Sequence, residues 1–171
     1  MKIWTLLAFV SFFILPQLQS QTPLVQELTQ KWQNAAEYTL ELAESMPAEL
    51  YDYRPCPECM TFSEQLLHMT HNMNWLGKRY LNADPHSAED LEIGQPKDIT
   101  IEWLTEGFDN ALNAFRSISP EELDDEVEFF AGPMTKRQIM HLMHDHLTHH
   151  RGQLVVYLRL NGITPPRYRG W

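Results

Sequence analysis

At 171 residues the chain is long enough for one well-cored domain and short for two. Hydrophobic residues at 43% and charged residues at 21% are globular values that argue against disorder. A net charge of −10 argues against nucleic acid and anionic membrane surfaces as partners, because both need clustered Lys and Arg.

Residues 1–20 differ from the rest. Lys2 precedes an uncharged apolar run over residues 3–15, Pro16 breaks it, and residues 17–21 are small and polar. This is the anatomy of a secretory signal peptide, with cleavage expected near Ser20–Gln21 and a mature domain over residues 21–171. The apolar run falls short of the roughly 20 residues that span a bilayer. No lasting membrane span is therefore expected after cleavage, and a secreted or periplasmic location follows. An uncleaved anchor is the alternative. No cysteine stands directly after the cut, which argues against a lipid anchor.

The first predicted helix covers residues 22–45 and ends before Pro47. An irregular loop follows, with Pro55 and Pro57 around Cys56 and Cys59, the chain's 2 cysteines. In an oxidising compartment a small structural disulfide is the default. A redox dithiol or half a zinc site are the alternatives, although no βαβ unit is present to seat a redox motif.

The second helix opens at Thr61, where Thr61 and Glu64 have capping-box spacing. Phe62, Leu66, Met69, Met73, Leu76 and Tyr80 then recur at steps of three and four as an apolar stripe. A loop over 82–98 contains Pro85, Gly94 and Pro96. The third helix is predicted over 100–117, with Ile101, Leu104, Phe108, Leu112 and Phe115 on one face. Ser119-Pro120-Glu121-Glu122 reads as a capped turn, and residues 126–130 as extended until Gly132-Pro133 stops them. The fourth helix starts at Thr135, boxed with Gln138, and ends at Asn161-Gly162 ahead of Pro165-Pro166. Four long helices with polar outer faces predict an all-α four-helix bundle.

Of the 8 histidines, all but His86 fall on or beside the second and fourth helices. With Ile139 at zero and about 100° per residue, Met143, His146, His150, Leu154 and Tyr157 fall within about 60° of it. His146 and His150 thus sit one turn apart inside the apolar stripe, a spacing that can bind one ion. A pair of hydrogen-bonded core histidines is the competing explanation. His149 lies on the flank, and His141 and His144 point away as expected surface residues. A third ligand must come from the second helix, since two histidines hold zinc poorly. His68 lies about 120° and His71 about 180° off that helix's stripe, so spacing leaves both open.

These residues resemble the DinB-like family of metal-binding bundles. The resemblance rests on Thr-Phe-Ser-Glu-Gln-Leu-Leu-His at 61–68 and His-Leu-Thr-His-His-Arg-Gly-Gln at 146–153. Arg54-Pro55, Tyr157-Leu158-Arg159 and the stretch from Gly162 to Pro165-Pro166 add to it. It covers essentially the whole mature chain. The resemblance implies an up-down-down-up bundle and a metal held by His68, His146 and His150, which selects His68 over His71. It implies a divalent ion, zinc first and nickel or another transition metal second. Some family members are transferases or isomerases that use low-molecular-weight thiols. The cysteine loop and the export signal depart from the family pattern and put a cytosolic thiol cosubstrate in doubt.

Three neutral imidazoles leave an ion with an open position, suited to activating water or a thiol. The expected function is therefore an exported metal-dependent hydrolase or thiol S-transferase acting on a small molecule. A non-catalytic metal-binding or interaction module is the alternative, and a bundle with purely structural histidines is a third. A homodimer is compatible with all three. Gln153 faces the same side as His150 and either orients a ligand or bonds another helix. Asp145 and Glu64 are either acceptors for an imidazole N–H or solvated carboxylates. Arg151 is expected in a surface or inter-helix ion pair, and Gly152 in a close helix contact. Trp75, Trp103 and Trp171 are expected in the core rather than in a substrate site.

Overall fold

The computed structural model of the protein describes residues 23–83 and 92–171, so the expected leader and His86 lie outside the described residues. Four long helices carry the fold: α1 Pro23–Ser45, α2 Phe62–Tyr80, α3 Lys97–Ser117 and α4 Lys136–Leu160. Short 3-10 turns cover Ala48–Leu50 and Glu121–Asp124. Two-residue strands β1 (Glu126–Val127) and β2 (Met134–Thr135) pair antiparallel just before α4. The extension expected over 126–130 is thus shorter than expected.

Local chemistry sets the helix ends. The Thr61 hydroxyl accepts from the Glu64 amide, and the Glu64 carboxylate accepts from the Thr61 amide. Thr135 and Gln138 make the same reciprocal pair at α4. Each pair satisfies two amides that the first helical turn leaves open. At the other end of α4, Gly162 takes φ +73°, with Gly162 N–H donating to Arg159 O and Ile163 N–H to Leu158 O. This 6→1 and 5→2 pairing closes the helix as a Schellman motif. Helix α3 begins three residues earlier than expected. Pro96 has the helix-ready φ of −54°, and its carbonyl already accepts from the Thr100 amide. The Thr100 hydroxyl bonds back to the same carbonyl at 3.1 Å instead of capping. Lys97 then donates to Glu44 O and Met46 O, serving carbonyls at the end of α1.

Cross-helix contacts give the helix directions. The Trp32 indole donates to Phe108 O while Lys97 meets the end of α1, so α1 and α3 run antiparallel. His68 meets His146 and Gln65 meets Gln153, so α2 and α4 are also antiparallel. His144 bonds Leu28 O and Arg151 lies over Tyr38, which makes α1 and α4 parallel. The result is an up-down-down-up bundle in which α1 and α2 each pack on α3 and α4. One core joins all four helices through Trp32, Phe62, Leu66, Leu104, Phe115 and Ile139. Gly107 lets α3 approach α2: a Cβ there would lie 3.2 Å from Met73 Cε and Thr70 Cγ2.

Several expectations do not hold. Trp75 is 47% and Trp171 66% exposed, and Trp103 packs half-buried on Leu67, so none belongs to the main core. Gly152 faces open space: a Cβ there would meet no atom within 4 Å, so close packing does not offset its helix cost. Arg151 is 5% exposed and has no carboxylate partner among the described residues. Its guanidinium stacks 5.4 Å from the Tyr38 ring centre and, among the described residues, bonds only Thr148 Oγ1, which leaves Nη1 without a partner there. The disulfide expected between Cys56 and Cys59 is present.

Candidate metal centre

The α2–α4 seam brings together the ring nitrogens of His68, His146 and His150, all within 4.8 Å of one another. His68 Nε2 and His146 Nε2 lie 3.1 Å apart. Two nitrogens each 2.0–2.1 Å from one tetrahedral ion would be separated by about 3.3 Å. The cluster can therefore hold a divalent metal ion with little rearrangement. His150 is buried, while His68 and His146 are half-buried, so the site is anchored inside the bundle and open on one side.

The three rings are held neutral, the form that ligates. Burial, then the neighbouring His68 and His149, pushes His146 down to about 4. Burial, then the nearby His146, His68 and His149, pushes His150 to about 4 as well. His68 is also lowered, first by burial and then by His71 and His149.

Gln65, which no pattern in the sequence singles out, fixes the His150 ring. Its Oε1 accepts from His150 Nδ1–H at 2.6 Å, leaving Nε2 as the nitrogen free to ligate. The Gln65 amide is itself held, since its Nε2 donates to Gln153 Oε1 at 2.7 Å. Gln153 Nε2 donates in turn to His149 Nε2 at 2.9 Å. Gln153 thus takes the inter-helix role of the two expected for it. Neither carboxylate considered as an imidazole acceptor serves as one: Glu64 caps α2 and Asp145 is exposed.

His141 is exposed, as expected, and so is His71, the candidate not selected by the resemblance. His144 is not a surface residue. It is 3% exposed, donates from Nε2 to Leu28 O at 3.2 Å and packs edge-on against Trp32. Burial pushes it down to about 4. It lies on the α1 side of α4 and takes no part in the cluster.

The DinB family model matches residues 18–170. The chain belongs to the DinB family. An uncharacterized Bacillus subtilis (strain 168) protein, YjoA, is 27% identical over 131 residues, covering 74% of this chain and 83% of that protein. The crystal structure of YjoA, described as DinB-like, superposes with a TM-score of 0.70 at 24% identity, over 85% of this chain and 99% of that one. A DinB-like protein from Bacillus cereus ATCC 10987 gives 0.75 at 18% identity, over 84% and 96%. At these identities the structures establish the shared DinB-type four-helix bundle, and the chemistry rests on the histidine cluster itself.

Proposed function

We propose that this DinB-family protein is an exported metal-dependent enzyme, a hydrolase or thiol S-transferase, with His68, His146 and His150 as metal ligands. One observation carries the reading: three neutral imidazoles converge from two helices at a half-open seam. Three protein ligands with an open position are the pattern of catalytic rather than structural zinc sites. Zinc is the first choice because nitrogen donors in a compact trio suit it, and nickel is the second. The bound ion would supply Lewis acidity able to bring the pKa of a water to about 7, or to ionise a thiol. The protein's part is to hold the rings, with Gln65 setting the His150 tautomer. Export is supported by the residue pattern of 1–20 and by the Cys56–Cys59 disulfide, which persists in an oxidising space.

The test is metal analysis of gently purified protein, followed by assay of the loaded form against ester, amide and thiol-electrophile panels. About one ion per chain is expected, lost in His150→Ala, with turnover that disappears with the ion. Loading without turnover would instead support a metal-binding module. Less than half an ion per chain would end the metal reading. Intact mass of the exported protein checks cleavage near Ser20.

A further inference from the structure

A cavity of about 470 Å3 adjoins the cluster on the side of the loop before α2, and of the three histidines only His68 borders it. A larger hollow of about 800 Å3, between Glu44 and Glu102, touches none of the three. The cavity beside His68 has the volume of a small-molecule site. Met60, Leu67 and Ile93 give it an apolar lining, and Arg54 and His71 add polar groups.

Arg54 is the informative residue. It is 45% exposed, and its Nη2 lies 3.7 Å from Glu64 Oε2. That distance is beyond a hydrogen bond, so the ion pair leaves the guanidinium donors unspent. The same Glu64 oxygen accepts from the Thr61 amide at 2.6 Å, which tethers that carboxylate to the start of α2. Glu58, the other carboxylate on the cavity, is exposed to solvent. Cys59 forms part of the wall, and its disulfide to Cys56 restrains the turn in which Cys59 N–H donates to Cys56 O.

We infer that this cavity receives the substrate of the metal centre, and that the substrate is a small molecule with an apolar body and a carboxylate or similar anion held by Arg54. The reacting group approaches the ion past His68, and Arg54 acts as a specificity-determining residue on the cavity wall. A planar guanidinium with free donors suits a carboxylate, which it can bind through two parallel bonds. The inference rests on the metal reading above, so its test must separate the two.

The test uses the disulfide-intact full chain loaded with cobalt(II), read by its visible spectrum. Two probes with the same metal-binding head are titrated: succinate monohydroxamate, which ends in a carboxylate, and butyrohydroxamate, which does not. The carboxylate probe is expected to bind about tenfold more tightly, the scale of one charge-assisted pair. Arg54→Ala is expected to make the two equal while leaving cobalt uptake and the melting temperature unchanged, and Arg54→Lys to restore part of the difference. Equal binding of both probes to the wild type, or a preference that survives Arg54→Ala, would overturn the assignment while leaving the metal site standing. A protein that takes up no cobalt overturns both, and is recognised by the missing visible bands before any probe is added.

Discussion

Replacing Gln65 tests how the cluster is held. In Gln65→Leu, His150 Nδ1–H and Gln153 Oε1 both lose a partner. Orphaning the buried His150 Nδ1–H costs about 1–3 kcal/mol and the half-buried Gln153 oxygen less, largely offset by about 1.5–3 kcal/mol from burying the leucine. The net loss of stability should therefore be small. Metal affinity should fall much more clearly. Without the Oε1 acceptor the His150 ring is free to rotate or to change tautomer, and such partners are worth 10–100-fold in affinity, about 1.4–2.7 kcal/mol.

Gln65→Glu separates the acceptor from the packing. A carboxylate still accepts from His150 Nδ1–H but cannot donate to Gln153. The Gln153 amide can answer by flipping, because its other partner, His149, is exposed and can present either tautomer. Zinc affinity in Glu should therefore stay within a few-fold of wild type, or exceed it. The assay is competition with a chromophoric chelator at neutral pH, with thermal melts of the apo proteins alongside. If Leu binds zinc as tightly as wild type, or if Glu loses as much as Leu, the tautomer argument fails.

Gly152→Ala should stabilise the protein by about 1 kcal/mol and raise the melting temperature by about 2–4 °C, because the new methyl meets nothing within 4 Å; an unchanged or lower value in calorimetry would contradict the open surface described. Glu122 is held down to about 2, mainly by accepting from the Ser119 amide and then by Lys136 and the Ser119 hydroxyl. Its contribution is thus complete above the ordinary value of 4.5 and lost as pH falls from 4.5 towards 2. Denaturant melts of Glu122→Gln should show a shallower acid loss than wild type across that window, and parallel curves would refute it. His144→Ala should cost about 2–4 kcal/mol in denaturant midpoint while leaving zinc stoichiometry intact, and His146→Ala should show the opposite pattern; loss of zinc from both would contradict the separation of the two residues.

The bundle is legible in the sequence because its signals are local. The stripes of α2 and α3 and the boxes at Thr61 and Thr135 each depend on residues within one or two turns. The choice of His68 is not legible from spacing, because it lies off the stripe of its own helix and faces α4 only once the two helices pair antiparallel. Gln65 escapes for the same reason: three residues before His68, it reaches across the seam to a partner 85 residues away. The start of α3 is misleading because Thr100 has the chemistry of a cap, while the preset φ of Pro96 lets the helix begin earlier.

The unexpected burial of His144 and Arg151 has one physical source. A single-stripe view gives each helix one buried face, but α4 packs on α1 and α2 at once. Beside the stripe through Ile139, Met143, His146 and His150 runs a second, offset by one residue, through Met140, His144, Leu147, Arg151 and Leu158, and all five of these are buried. Its polar members disguise it as solvated surface. Their polarity is absorbed differently on each side. Facing α1, His144 spends its proton on a backbone carbonyl and Arg151 stacks on Tyr38. Facing α2, His146 and His150 keep nitrogens directed at a third imidazole. A helix rich in histidine thus divides its inward-facing rings between two seams. The α1 side is closed by packing, and only the α2 side leaves lone pairs converging on one point, where an ion can sit.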